Sequence, residues 1–487
     1  MFFGVSAILY IPVFIVNISL TFTIIFLERK NPQSTYAWLL FLWMVPILGF
    51  LFYLLFSQNL TKRKIFRYNT PENIRYHHML RQQQRLLSEI ISINPDSPIE
   101  KYRHSIEFHL RVSQSLYTND NDVEIFTDGH DKFAALFDAM ELAKDSIHVE
   151  YYIIKNDSLA LKMIDILTRK ALEGVEVRLL FDAMGGRYLP RSVIDPFISA
   201  GGQIGEFFPS KFKMLNFRVN YRNHRKIVVI DGKTGFVGGF NVGNEYLGLN
   251  ARMGYWRDTH LKITGSSAYE LQLRFLLDWR ASSSEELLID DKKISRYFPP
   301  IPQKNGAGIQ IVSSGPDKVN QQIKQGFLRM ITTAESYILI QSPYFVPDES
   351  ILEALKIALL SGIDVRIMIP NKPDHVFIYW ATLAYVGELV EYGAKIFIYE
   401  NGFLHTKTIV VDDSVCSVGS CNFDIRSFRL NFETNAFIYD QKVATKLKNI
   451  FVDDIKYCTY YDRELYQNRS NAIKMKESIS RLFSPLL

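Results

Sequence analysis

Hydrophobic and polar positions along the chain divide it into regions of different character. Two nearly unbroken apolar runs, Gly4 to Leu27 and Tyr36 to Phe56, fill the first sixty residues, separated by Glu28-Arg29-Lys30-Asn31-Pro32-Gln33-Ser34. As a helix the first run would extend about 36 Å, enough to cross the hydrocarbon core of a bilayer with some tilt. The pair predicts a transmembrane helical hairpin over residues 1–57. A cleaved signal peptide does not fit, because the first run has no basic leader or small-residue cleavage site and a second span follows at once. Residues 58–119 are polar with mixed charge and read as a connecting segment, with His77, His78, His104 and His109 on solvated helix faces.

From there the pattern repeats. Ser146 to Tyr152 alternates as a strand does, a helical stretch covers Leu159 to Leu172, and Gly174 leads into the apolar run Val175 to Leu180. Ser336 to Ile340, Ile351 to Leu360, and Gly362 with Ile363 to Met368 repeat the series. Strand, helix, glycine, strand is the signature of right-handed βαβ units. The fold predicted is α/β, with two homologous lobes at 120–300 and 301–460, each a mostly parallel mixed sheet flanked by helices, and a basic and apolar tail at 461–487.

Composition adds less. The formal charge of +5 is too small to argue for nucleic acid and suits an anionic membrane surface equally well. The basic cluster Lys62-Arg63-Lys64 with Arg67 outweighs Arg29 and Lys30, which predicts a multi-pass protein of the cell membrane with its lobes in the cytoplasm. Cys416, Cys421 and Cys458 give no disulfide framework or zinc spacing, and Cys416 and Cys421 read as small buried hydrophobes.

The chemistry lies in a duplicated motif. His224-Arg225-Lys226, a β-branched run, Asp231 and then Gly238-Gly239-Phe240-Asn241 match His405-Thr406-Lys407, Asp412 and Gly419-Ser420-Cys421-Asn422 interval for interval. Residues two apart on a strand share a face, so each histidine projects with its lysine into one site. The aspartates stand at turn signals, which suits holding local structure. The glycine-rich ends let backbone and the Asn241 and Asn422 amides approach an anion. A lysine beside each histidine would repel a divalent cation, so no metal or other cofactor is expected.

This double His-x-Lys-x4-Asp signature with its downstream Gly-Gly/Ser-x-Asn resembles the phospholipase D superfamily, and the hairpin and tail point to its bacterial cardiolipin synthase branch. The resemblance implies a catalytic set of His224, Lys226, Asp231, His405, Lys407 and Asp412, supported by Gly239, Asn241, Ser420 and Asn422. It also implies that Asp258 and Glu433 hydrogen-bond the imidazoles. One histidine would attack phosphorus and the other serve as acid and base. The resemblance nominates His224 and His405 respectively, while the near-symmetry of the motifs leaves the order open. Implied further is transfer of a phosphatidyl group from one phosphatidylglycerol to another with release of glycerol; the alternative is a hydrolytic phospholipase D. Nucleic acid is not an expected partner, given two membrane spans. Between Gly201 and His224 the first lobe holds eleven more residues than the second holds between Gly393 and His405. Their interleaved Phe207, Phe208, Lys211, Phe212, Lys213, Phe217 and Arg218 suit a lip on anionic lipid. Tyr344 and Arg426 are further headgroup candidates.

Overall fold

A computed structural model of the chain describes residues 98–209, 220–283, 291–302 and 304–484, with 12, 14–28, 32–45, 49, 52–53, 79–83, 85, 285 and 287. The polar stretch around His77 and His78, and most of the expected lip (210–219), lie outside the described residues. The chain divides into two compact units, 1–64 with 208–221, and 65–207 with 222–487.

In the first unit two helical segments, 14–28 with a π-helical end at Thr23–Glu28 and Pro32–Met44, lie against one another. Ile24 of one and Leu42 of the other form a small core with Tyr53, and Asn17 Nδ2 donates to the Leu42 carbonyl at 3.1 Å. Among the described residues no helix is long and apolar enough to cross a membrane.

The second unit is built on one sheet of sixteen strands, fifteen in a continuous order and one two-residue strand, Arg222–Asn223, paired beside it to Asn431–Tyr439. The first lobe supplies β1 (Tyr117–Phe126), β2 (Ser146–Tyr151), β3 (Glu176–Asp182), β4 (Gln203–Phe207), β5 (Ile227–Ile230), β6 (Thr234–Gly238) and β7 (His260–Thr264). The second supplies β8 (Ala307–Ser314), β9 (Tyr337–Gln341), β10 (Asp364–Pro370), β11 (Lys395–Tyr399), β12 (Thr408–Val411), β13 (Val415–Gly419), β14 (Asn431–Tyr439) and an edge strand, β15 (Cys458–Tyr461). Their order is β4-β3-β2-β5-β6-β7-β1-β8-β14-β13-β12-β9-β10-β11-β15, so the lobes meet at the β1–β8 pair and mirror one another outward from it.

The sheet is mixed, but it is not mostly parallel. Only β2–β3–β4 and β9–β10–β11 run parallel, and every other pairing along the order is antiparallel. The cause is the connection length. Helices Ser158–Leu172 and Glu349–Leu360 carry the chain across the sheet, whereas β5 returns as β6, and β12 as β13, through three-residue turns that allow only antiparallel pairing. Asp157 and Asp348 cap those two helices through the backbone N–H of Ala160 and Ile351. Gly174 and Gly362 end them at the same φ of 88°, a left-handed backbone that favours glycine.

A buried apolar cluster draws Ile227, Val237 and Leu261 from the first lobe and Val410, Val418 and Ile438 from the second, which fuses the lobes through a common core. His109 departs from expectation. Helix Pro98–Val112 packs Ile106 and Leu110 into the second lobe, and the His109 ring is buried against Phe437 with centroids 4.5 Å apart. Burial lowers its pKa to about 3, so it stays neutral. Cys416 and Cys421 are buried thiols, as their setting predicts.

Candidate active site

Two short parallel bridges between the lobes set the site. Arg222 and Asn223 pair with Asn431 and Phe432, and Trp256 and Arg257 pair with Phe403 and Leu404. The residue after each bridge is the one that matters. His224 N–H donates to the Phe432 carbonyl at 2.9 Å, and His405 N–H to the Arg257 carbonyl at 2.7 Å. The shared register then brings Glu433 opposite His224 and Asp258 opposite His405.

The imidazoles are therefore held by carboxylates of the opposite lobe. His224 Nδ1 lies 3.0 Å from Glu433 Oε2 and 2.9 Å from Oε1, and His405 Nδ1 lies 2.5 Å from Asp258 Oδ2. Donation from Nδ1 to a carboxylate leaves Nε2 with the free lone pair, the arrangement a nucleophile or general base requires. The rings are also packed. Tyr152 meets His224 edge-on at 5.0 Å, and Trp256 lies 5.4 Å from His405.

Each lysine stands beside its histidine, although residues 224–226 and 405–407 lie in the short links just ahead of β5 and β12 and not on the strands themselves. Lys226 Nζ donates to the His224 carbonyl at 2.6 Å, and Lys407 Nζ makes the same bond to the His405 carbonyl. Burial lowers Lys226 to about 7 and Lys407 to about 8, despite the opposing pull of the site's carboxylates. His224 is lowered to about 4, chiefly by burial, with Lys226 and Lys407 adding to the effect against Glu433. Burial and Lys407 lower His405 as well, against Asp258. Burial alone would raise Asp258, but Lys407 and His405 outweigh it and hold the carboxyl below its usual range. Lys407 thus acts on His224, and Lys226 on His405, so the two half-sites share one electrostatic environment. A buried site with two lysines and two histidines is suited to a single anion. Among the described residues no cluster of three or more His, Cys, Asp or Glu side chains could hold a metal ion.

Comparison with known proteins identifies the lineage. The family described as "Cardiolipin synthase, PLD-like domain" matches residues 136–270 and 327–455, and "Phospholipase_D-nuclease N-terminal" matches 15–58. The chain is 49% identical over 485 residues to a cardiolipin synthase of Oceanobacillus iheyensis, covering 99% of this chain and 100% of that one. It is 48% identical to the major cardiolipin synthase ClsA of Bacillus subtilis at the same coverage. The chain belongs to the cardiolipin synthase family. The phosphatidylserine synthase of Haemophilus influenzae shares the fold, with a TM-score of 0.59 at 14% identity over 78% of this chain and 97% of that one.

Several motif residues in this fold support the site without facing the imidazoles. Asp231 and Asp412, counted in the catalytic signature, do not face the imidazoles. Each stands at the far end of its motif strand, about 13 Å along it. Asp231 accepts backbone N–H bonds from Lys144, Asp145 and Ser146 at 2.8–2.9 Å, and Asp412 from Glu335, Ser336 and Tyr337 at 2.7–2.9 Å. These clamps fix the turns that start β2 and β9. Asp231→Ala is expected to lower stability by about 1–3 kcal/mol through the unpaired N–H groups, with kcat per folded molecule unchanged; thermal melting and active-site-normalised rates measure the two separately.

Gly239 and Ser420 likewise serve the carboxylates. A Cβ at 239 would overlap the Asp258 carboxylate, whereas the Ser420 hydroxyl donates to Glu433. Asn241 is held by its Nδ2 bond to Tyr246 Oη at 2.7 Å and accepts from Ile153 N–H, while the buried Asn422 Oδ1 has no hydrogen-bond partner among the described residues. Tyr344 is engaged by Asp374. Sequence reasoning passed over Arg225, which forms a buried double hydrogen bond with Asp278 at 2.8 and 2.9 Å. Its place between His224 and Lys226 was the available signal.

Proposed function

We propose that the paired half-sites carry out a two-step phosphatidyl transfer through a phosphohistidine, with phosphatidylglycerol as both donor and acceptor. As a member of the cardiolipin synthase family the chain is a phosphatidyltransferase that makes cardiolipin. The observation that carries the mechanism is the crossed pairing of His224 with Glu433 and His405 with Asp258. A phosphodiester resists nucleophiles because its non-bridging oxygens share a negative charge, so the catalyst must neutralise that charge and protonate the leaving alcohol. Lys226 and Lys407 supply the first. The histidines supply the second and the attack itself.

A difference between the carboxylates supports His224 as nucleophile and His405 as acid and base. Glu433 is shared among His224, the Ser420 hydroxyl and Asn431 Nδ2, which dilutes its charge and favours a neutral, nucleophilic His224. Asp258 gives His405 a short bond and is held ionised, which favours the imidazolium once an anionic phosphate arrives. In the first step His224 Nε2 bonds to phosphorus and the bond to the glycerol oxygen breaks, with that oxygen taking its proton from His405. In the second, His405 removes a proton from the hydroxyl of the second lipid, whose oxygen displaces His224.

The lysines must carry their protons to act. Deprotonation through about pH 7 for Lys226 and about pH 8 for Lys407 removes that charge, so kcat/KM is expected to fall as pH rises through this interval. Protonation of His224 at about pH 4 closes the range from below. A kcat/KM profile that is flat from pH 6 to about pH 9.5 would contradict a requirement for charged lysines.

Membrane placement belongs to the same reading. The apolar runs of the first sixty residues are read as a membrane hairpin, supported by the exposed Phe14, Ile15, Ile18, Phe22 and Leu40, and the basic cluster Lys62-Arg63-Lys64 with Arg67 supports lobes in the cytoplasm. Purified full chain supplied with phosphatidylglycerol vesicles tests the reaction. Cardiolipin with free glycerol supports transfer; phosphatidic acid with glycerol means hydrolysis and overturns it.

A further inference from the structure

The helix Asn471–Leu482 is turned the wrong way round for a helix of a water-soluble surface. It buries Glu477, Ser480 and the following Ser484, and it exposes Met475, Ile479, Leu482 and the capping Phe483, with Leu482 80% and Met475 60% exposed. At the helical spacing these four apolar residues lie within an arc of roughly 100°. Lys476, whose ammonium lies over the Trp380 ring at 4.9 Å, borders one edge of that arc, and Lys474 lies farther round beyond the other. The helix is held in place by ion pairs, buried Glu477 with Arg469 at 2.7 Å and half-exposed Arg481 with Glu388 at 2.7 Å on helix Val376–Glu391. The apolar face is therefore fixed outward by the tertiary structure. Phe483 meets Phe377 edge-on at 6.0 Å, and the exposed Val376 and Phe377 extend the patch.

We propose that this face, made by Asn471–Phe483 with Val376 and Phe377, docks on the surface of an anionic lipid bilayer. An apolar stripe flanked by lysines is the composition that lies in the plane of a membrane interface, with apolar side chains below the headgroups and ammonium groups among the phosphates. A second copy of the chain would bring these flanking lysines against their own kind. The patch also runs toward the site. Asp374, two residues before Val376, accepts the Tyr344 hydroxyl and acts electrostatically on Lys407. Docking this face holds the reactive groups at headgroup level, where a phosphodiester of the bilayer lies. The inference rests on the reading that the donor lipid resides in an anionic bilayer.

The test uses the full chain with Cys458→Ser and Met475→Cys, the introduced cysteine carrying an environment-sensitive fluorophore. In vesicles of phosphatidylcholine with phosphatidylglycerol, the fluorophore is expected to shift to the blue and to be quenched by brominated acyl chains; in pure phosphatidylcholine both effects should be weak. A fluorophore that remains water-exposed on anionic vesicles overturns the proposal. So does equal insertion into neutral vesicles, or a blue shift in detergent that grows with protein concentration, which would mean self-association. In parallel, Met475→Glu with Leu482→Glu should slow turnover of vesicular phosphatidylglycerol at least about tenfold. The same variant should convert a short-chain, monomeric phosphatidylglycerol at the parental rate. Failure of the parental chain on the short-chain lipid would count against the reaction, whereas equal loss on both substrates would count against docking.

Discussion

His224→Ala and His405→Ala are each expected to cut cardiolipin formation by at least about 10⁴-fold, with the fold and membrane location retained. Both rings line the site and neither belongs to the apolar clusters, so truncation removes chemistry rather than core. The losses should be nearly equal because the histidines act in one reaction, and the double variant should be little worse than either single one. The half-reactions separate them. With radiolabelled phosphatidylglycerol, His224→Ala should take up no covalent label. His405→Ala should take up label slowly and then retain it, since the base that activates the second lipid is missing. Label on His405 in the parental chain would reverse the assigned roles. Substantial turnover by either single variant would defeat the shared site altogether.

Asp258→Asn is expected to lower kcat by about 10²–10⁴-fold with little change in KM. An amide nitrogen opposite His405 Nδ1 selects the wrong tautomer and removes the charge that stabilises the imidazolium. Glu433→Gln should act in the same direction on His224, with a smaller effect because Glu433 already shares its charge with Ser420 and Asn431. What makes this prediction specific is the crossing of lobes. Adding Asp258→Asn to His405→Ala should cost nothing further in phosphoenzyme formation, while adding it to Glu433→Gln should multiply the two losses. Additivity of Asp258→Asn with His405→Ala would show that the carboxylate works by another route.

Much of this was legible before any coordinates. Equal intervals in the two motifs pair His224 with Lys226 and His405 with Lys407, although the strand expected to carry each pair begins only at Ile227 and Thr408, one residue after the lysine. Local chemistry also gave the helices at 159–172 and 351–360, since apolar periodicity and the glycines that follow act within a few residues. By the same reasoning the motif aspartates, at turns, suited a structural task better than the catalytic role their family pattern suggests. The sheet direction was misjudged where three-residue turns competed with the βαβ pattern. His109 was misjudged because its burial depends on which face of its helix meets Phe437, a residue more than three hundred positions away.

The sequence by itself determined the two half-sites, their residue types and the duplicated architecture that carries them, because those follow from periodicities that short stretches of chain obey on their own. Only the tertiary structure decided that each histidine answers to the other lobe's carboxylate, that Ser420 serves Glu433, and that the last helix turns its apolar side outward. These depend on the register of two-residue bridges between strands some 150 to 210 positions apart, and on the ion pairs of Glu477 and Arg481, which no local pattern encodes.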